Sequence, residues 1–208
     1  MPQNPISFNT LNPAGKLVAQ YGGYQGDEYV SQFHGTKYTS VYNGYGFSGA
    51  NPTAVTTSVG LATTYVGICL SNPATNTNNL VVRRVSATII VEPASFLSVG
   101  LITGYSAAGI VTHTTPLTPF CSKIGATKTP LGATISATGK LDSACTLVGT
   151  PAWTQFFSTI TSTTVPSINT DLEDGIILIP GAYAAIGTTI ASGSSGFYGS
   201  IEWAEFPV

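Results

Sequence analysis

The chain has 208 residues, only 8% of them charged, and a formal net charge of −2. Helical bundles and coiled coils need far more charge on their solvent faces, since an average soluble chain is about a quarter charged, so the composition excludes both. Seven cations against nine acids exclude a phosphate-neutralising surface for nucleic acid, and a hydrophobic fraction of 43% excludes a disordered chain.

Residues 1–30 read as an extended, irregular N-terminal arm. Pro2, Pro5 and Pro13 block regular pairing, and the run YGGYQGDEY invites loops. The opening MPQNPISFNTLNPAGK has neither a basic n-region nor an apolar h-region, so it does not read as a secretory signal. The remaining 31–208 fit one domain.

From about residue 30 the pattern is that of strands. YVSQF, KYTSVYN and GYGFSG set Tyr, Val, Phe and Thr between glycine breaks. AVTTSVGLATTYVGICLSNP is rich in β-branched residues and ends in the turn Ser71-Asn72-Pro73, before the polar loop ATNTNN. LVVRRVSATIIVEP is the strongest strand. Val81, Val85, Ala87, Ile89 and Val91 share one parity, interrupted only by Arg83, so Arg83 and Arg84 are expected on opposite sides of the sheet. SVGLITGYS is a further short strand. Residues 106–152 are the least regular stretch, a candidate projecting insertion with short strands. WTQFFSTITSTTV fits a strand or a helical turn. GIILIPGAYAAIGTTIA carries Pro180-Gly181, a type II turn pair, and GFYGSIEWAEFPV closes the chain. In that last strand Phe197, Gly199, Ile201 and Trp203 form an apolar side. Short strands at this spacing predict an all-β fold, a jelly-roll-type β-sandwich behind the arm.

No catalytic set stands out. His34 and His113 are the only histidines, and no GxSxG elbow occurs. His34 reads as a strand-end residue and His113 as exposed in a Thr-rich loop. Glu202 and Glu205 have opposite strand parity, so they should not flank one glycosidic bond. Asp171, Glu173 and Asp174 form the one dense acidic cluster, in TDLEDG. Its ligand count is short of an EF-hand loop, and Asp174-Gly175 reads as a turn. Neither cofactor nor metal is expected. Cys69, Cys121 and Cys145 lack CxxC spacing and read as free thiols, with Cys121–Cys145 as the alternative pair. The longest apolar runs break within about eight residues, short of the roughly 20 a spanning helix needs.

Tyr21, Tyr24, Tyr29, Tyr38, Tyr42 and Tyr45 fall within 25 residues. Tyrosine suits contact surfaces because one end is apolar and the other polar. Tyr21, Tyr24, Tyr29, Phe33 and Tyr38 are therefore the candidate interface anchors, with Arg83 and Arg84 as charge-assisted contacts. Trp203 is assigned to the core.

As a set, YVSQFHGTKYTSVYNG, ATTYVGICLSNP, NLVVRRVSATIIV, PGAYAAIGTT and GFYGSIEWAEFPV resemble segments of small virion structural proteins of tailed bacteriophages. That resemblance implies a capsid decoration or cement protein. It would be made in the host cytoplasm and carried on the virion's capsid surface. There it would bind the major capsid protein and copies of itself as a homotrimer, without nucleic acid or membrane. The alternative is a receptor- or carbohydrate-binding head domain of a fibre or spike.

Overall fold

The structure is a computed structural model and describes residues 7–11, 17–21, 36–108, 111–129, 132–160 and 167–207. Its first strands, β1 (Ser7–Leu11) and β2 (Leu17–Tyr21), pair antiparallel with Ser7 opposite Tyr21 and Leu11 opposite Leu17. Part of the arm is thus regular. Pro2, Pro5 and Pro13 lie outside the described residues.

The next element overturns a strand assignment. Thr36–Tyr42, which takes in all of the KYTSVYN run but its last residue, is a helix, α1. Its C-terminus explains the departure from β propensity. Gly44 takes φ +79°, the Tyr45 N–H donates to the Ser40 carbonyl and the Gly44 N–H to the Val41 carbonyl. This reciprocal pair closes a helix end and depends on a left-handed residue, which glycine supplies.

The remaining strands are β3 (Gly46–Ala50), β4 (Thr64–Ser71), β5 (Asn78–Ile89), β6 (Leu97–Tyr105), β7 (Thr112–Leu117), β8 (Phe120–Cys121), β9 (Lys140–Thr146), β10 (Ala152–Ile160), β11 (Ser167–Leu178), β12 (Ala182–Thr188) and β13 (Phe197–Pro207). They form two antiparallel sheets packed face to face, an all-β sandwich. One sheet has the order β10-β6-β12-β4-β9-β7 and the other β11-β5-β13-β3-β8. The pairing is nested: β3 with β13, β4 with β12, β5 with β11, and β6 with β10. The irregular stretch after β6 supplies β7, β8 and β9, which extend the two sheets beyond β4 and β3.

Between the sheets lies one continuous core. Leu80, Val82, Val85, Ala87 and Ile89 of β5 meet Phe197, Ile201 and Trp203 of β13 and Leu97, Val99 and Leu101 of β6. Trp203 and Phe197 are fully buried, each removing enough apolar area to contribute about 1.5–3 kcal/mol. The inward set on β5 corrects the parity read from sequence. Val82, not Val81, faces the core, because Arg83 is an extra residue in the ladder. Glu202 pairs with Arg84 and Trp203 with Val82, leaving Arg83 unmatched. A bulge of this kind shifts every residue beyond it to the other face.

A second, smaller cluster covers the opposite side of the six-stranded sheet. Tyr65, Cys69, Ile102, Cys145, Tyr183 and Ala185 lie there beneath Val111, Leu147 and the partly buried Trp153. Strand β12 is buried on both sides because Tyr183 and Ala185 are as buried as Ala184 and Ile186.

Candidate functional site

The outer side of the five-stranded sheet is open, and the register places its residues in three rows across the strands. Asn169, Ser86, Ser200 and Ala50 stand in line on β11, β5, β13 and β3. On one side run Asp171, Arg84, Glu202 and Ser48, with Phe120 of β8 opposite Ser48. On the other run Ser167, Thr88 and Tyr198. The middle row is made of short side chains, so it forms the floor of a trough. Asp171, Arg84 and Glu202 in one flanking row and Tyr198 in the other are longer and form its walls. Two adjoining shallow cavities of about 480 and about 150 Å³ occupy it, sharing Ala50, Ser86 and Ser200.

The charged wall is ordered by ion pairs. Arg84 Nη2 lies 3.7 Å from Asp171 Oδ2, and Lys37 Nζ of α1 lies 3.0 Å from Glu202 Oε1. The Glu173 backbone N–H donates to Asp171 Oδ1 at 2.9 Å and is the main reason its carboxyl sits below the usual range, with Lys37 and Arg84 adding to it. On the floor, Ser86 Oγ donates to Asn169 Oδ1 at 3.2 Å.

The candidate interface residues separate. Arg84 is half-exposed on the trough wall. Arg83 is 4% exposed: its Nε donates to Asp174 Oδ1 at 3.0 Å and its Nη1 to Ser40 Oγ at 2.6 Å. The bulge that removes Arg83 from the ladder turns it beneath α1, where it ties the helix to β11. The same bulge is answered on β11, where Asp171 pairs with Arg84 and Ile176 with Val82. The intervening residues loop out through Glu173 and Asp174, both at positive φ (50° and 59°), a strained pair that the Arg83 contact holds. The turn expected at Asp174-Gly175 is thus an excursion inside a strand, and two carboxylates of TDLEDG face arginines. Among the described residues no group of His, Cys, Asp and Glu is arranged to hold a metal ion. Tyr38 is half-exposed on α1 and stacks on Tyr42 with ring centroids 6.0 Å apart. Tyr21 ends β2, and its side chain lies outside the described residues, as do Tyr24, Tyr29, Phe33 and His34.

Several polar groups are used inside the fold. Glu202 faces outward and Glu205 inward, as their parity requires. Glu205 accepts from Thr138 N, Gly139 N and Trp203 Nε1, which satisfies a buried carboxylate. His113 belongs to β7 and is not merely exposed: its Nδ1 lies 2.5 Å from Asp142 Oδ2, a fully buried carboxylate in KLDSACT. Burial pushes the Asp142 carboxyl up, against the pull of His113, and its Oδ1 has no hydrogen-bond partner among the described residues. Sequence reasoning missed this pair; its one signal was an acid inside an otherwise buried strand. The cysteines are free. Cys145 neighbours Cys69, not Cys121, which lies in the other sheet. A hydrogen bond in which the Cys69 thiol donates to Cys145, with burial, pushes that thiol up.

A second exposed feature adjoins the trough. Phe120 and Ile124 are 65% and 87% exposed, and Lys123 between them donates to the Tyr42 carbonyl and lies 4.7 Å from the Tyr42 ring centroid. Tyr38, Tyr42, Phe120 and Ile124 thus form an apolar rim around Lys123. No helix among the described residues is long and apolar enough to cross a membrane. No protein-family model, curated protein or solved structure matches the chain.

Proposed function

We propose that the protein is a structural component of a tailed-phage virion, a decoration or cement protein that binds the major capsid protein and copies of itself as a homotrimer. The observation that carries the reading is the exposed aromatic and aliphatic rim of Tyr38, Tyr42, Phe120 and Ile124. Side chains of this kind are enriched where subunits meet, and exposing them on a free monomer invites association. The sequence resemblance to virion proteins points the same way. The nested strand pairing supports the jelly-roll form of the sandwich, which suits a rigid contact module. The arm hairpin adds to this. A two-stranded hairpin is marginal by itself, and a neighbouring subunit is a natural surface for it.

Mass spectrometry and cryo-electron microscopy of purified particles test the reading. The chain is expected on the capsid exterior in threefold clusters, and its absence from particles overturns the assignment. Light scattering on the purified protein is expected to give a trimer that Ile124→Asp with Phe120→Asp disperses.

A further inference from the structure

The open trough has the build of a ligand site, and its chemistry selects the ligand. We propose that it binds a short linear run of a neutral glycan. This does not rest on the virion reading, since it uses the face of the five-stranded sheet and not the arm, and of the apolar rim it borrows Phe120 alone.

Shape comes first. The floor of Asn169, Ser86, Ser200 and Ala50 crosses four strands, and at about 4.8 Å per strand spacing it runs roughly 14 Å. That admits more than one sugar ring in line, and the combined space falls within the range of small-molecule sites, roughly 300–1,000 Å³.

Hydrogen bonding comes next. The trough offers side-chain hydroxyls from Ser48, Ser86, Thr88 and Ser200, an amide from Asn169, the Arg84 guanidinium and the Glu202 carboxylate. Donors and acceptors are interleaved at close range, which matches a ring that carries hydroxyls all round. Arg84 has five N–H donors and aims one nitrogen at Asp171, so others remain for a ligand.

Charge then narrows the class. Along the wall Asp171, Arg84, Glu202 and Lys37 alternate in sign and cancel. A polyanion finds no surplus of cations, and a cation meets arginine and lysine beside each carboxylate. A neutral polyhydroxylated chain meets paired groups that bond its hydroxyls without a net field. The rings supply the apolar part. Tyr198 (38% exposed) stands on one wall and Phe120 (65%) at the end of the other, placed to cover the C–H faces of sugar rings. A protein partner fits less well: interface cores are depleted in serine, and here serines make the floor.

The probes are neutral β- and α-linked gluco-, manno-, galacto- and xylo-oligosaccharides of three to six units, with hyaluronan oligosaccharides as the acidic arm, titrated into the full chain by calorimetry and NMR. Saturable binding of at least one neutral series is expected. Tyr198→Ala and Arg84→Ala should each weaken it by about tenfold or more, the loss of one stacking or charge-assisted contact. Ser200→Gln should abolish it by filling the floor. All three sites face solvent, so an unchanged thermal midpoint is required of each variant. Phe156→Ala, on the edge strand of the other sheet, should bind normally. The proposal is overturned by absence of binding to every neutral series, by binding indifferent to the three trough variants, by a preference for the acidic arm, or by self-association through this face that Tyr198→Ala removes.

Discussion

The sandwich has two outer faces, and they differ in almost every physical respect. The outer side of the six-stranded sheet is closed: Tyr65, Ile102, Cys145 and Tyr183 are at most 1% exposed beneath Val111, Leu147 and Trp153. The outer side of the five-stranded sheet is open and lined by Ser, Thr, Asn and paired charges. Both sheets share one core, so the contrast arises from what each strand carries on its second parity. In AYAAIGT both parities are apolar or small, and burying both removes water at no polar cost. In β13, Tyr198, Ser200 and Glu202 alternate with Phe197, Gly199 and Ile201, and burying the polar set would leave hydroxyls and a carboxylate unsatisfied. A closed face contributes stability and an open one is left to make contacts.

Substitutions should separate the two faces. The largest expected effect is Ile102→Ala on the closed face, about 2–5 kcal/mol less stable by denaturant titration, whereas Ser200→Ala on the open face should stay within about 0.5 kcal/mol. Equal losses would break the distinction. Next is His113→Ala, which strips the buried Asp142 carboxylate of its partner and should cost about 1–3 kcal/mol at neutral pH. Asp142→Asn should largely rescue it, since the charge is then gone.

Third, Asp174→Ala leaves the buried Arg83 with only Ser40 and should cost about 1–3 kcal/mol. Asp171→Ala, releasing the half-exposed Arg84, should cost less than about 1 kcal/mol. Comparable losses would show that Arg83 is not the buried tie between α1 and β11.

At neutral pH the smallest effects belong to groups that titrate far from it. Asp142 binds its proton more tightly folded than unfolded, so its own titration lowers stability as pH rises from the ordinary Asp value through the raised folded one, and Asp142→Asn should remove that slope. Burial lifts the Tyr183 hydroxyl to about 12. The folded state keeps a proton that the unfolded state releases near pH 10, so stability is lost between about pH 10 and 12, and Tyr183→Phe should make that limb shallower, with the raised Tyr65 and Cys69 supplying the rest.

Particular residues show how far the sequence reaches. Phe197, Ile201 and Trp203 are legible as one buried side, and Glu202 and Glu205 as opposed, because strand parity is local. Pro180-Gly181 is legible as a turn, with Gly181 at φ +93°. α1 was hidden among β-prone residues, since its stop depends on Gly44 and its seat on Arg83 reaching Ser40 from β5. The Arg83 bulge was hidden too: Val81 and Val82 are equally apolar, and only pairing with β13 decides which one turns inward.

Consecutive residues are enough to make this chain a charge-poor, β-rich protein whose strands carry their own inward and outward sides. Alternation is a property of consecutive residues, so no partner is needed to read it. Only the tertiary structure decided which strands lie side by side, and therefore that Asn169, Ser86, Ser200 and Ala50 make one floor and that His113 meets Asp142. Those residues come from separate stretches of chain, and register between distant strands is set by the packing of the whole core, not by any one segment.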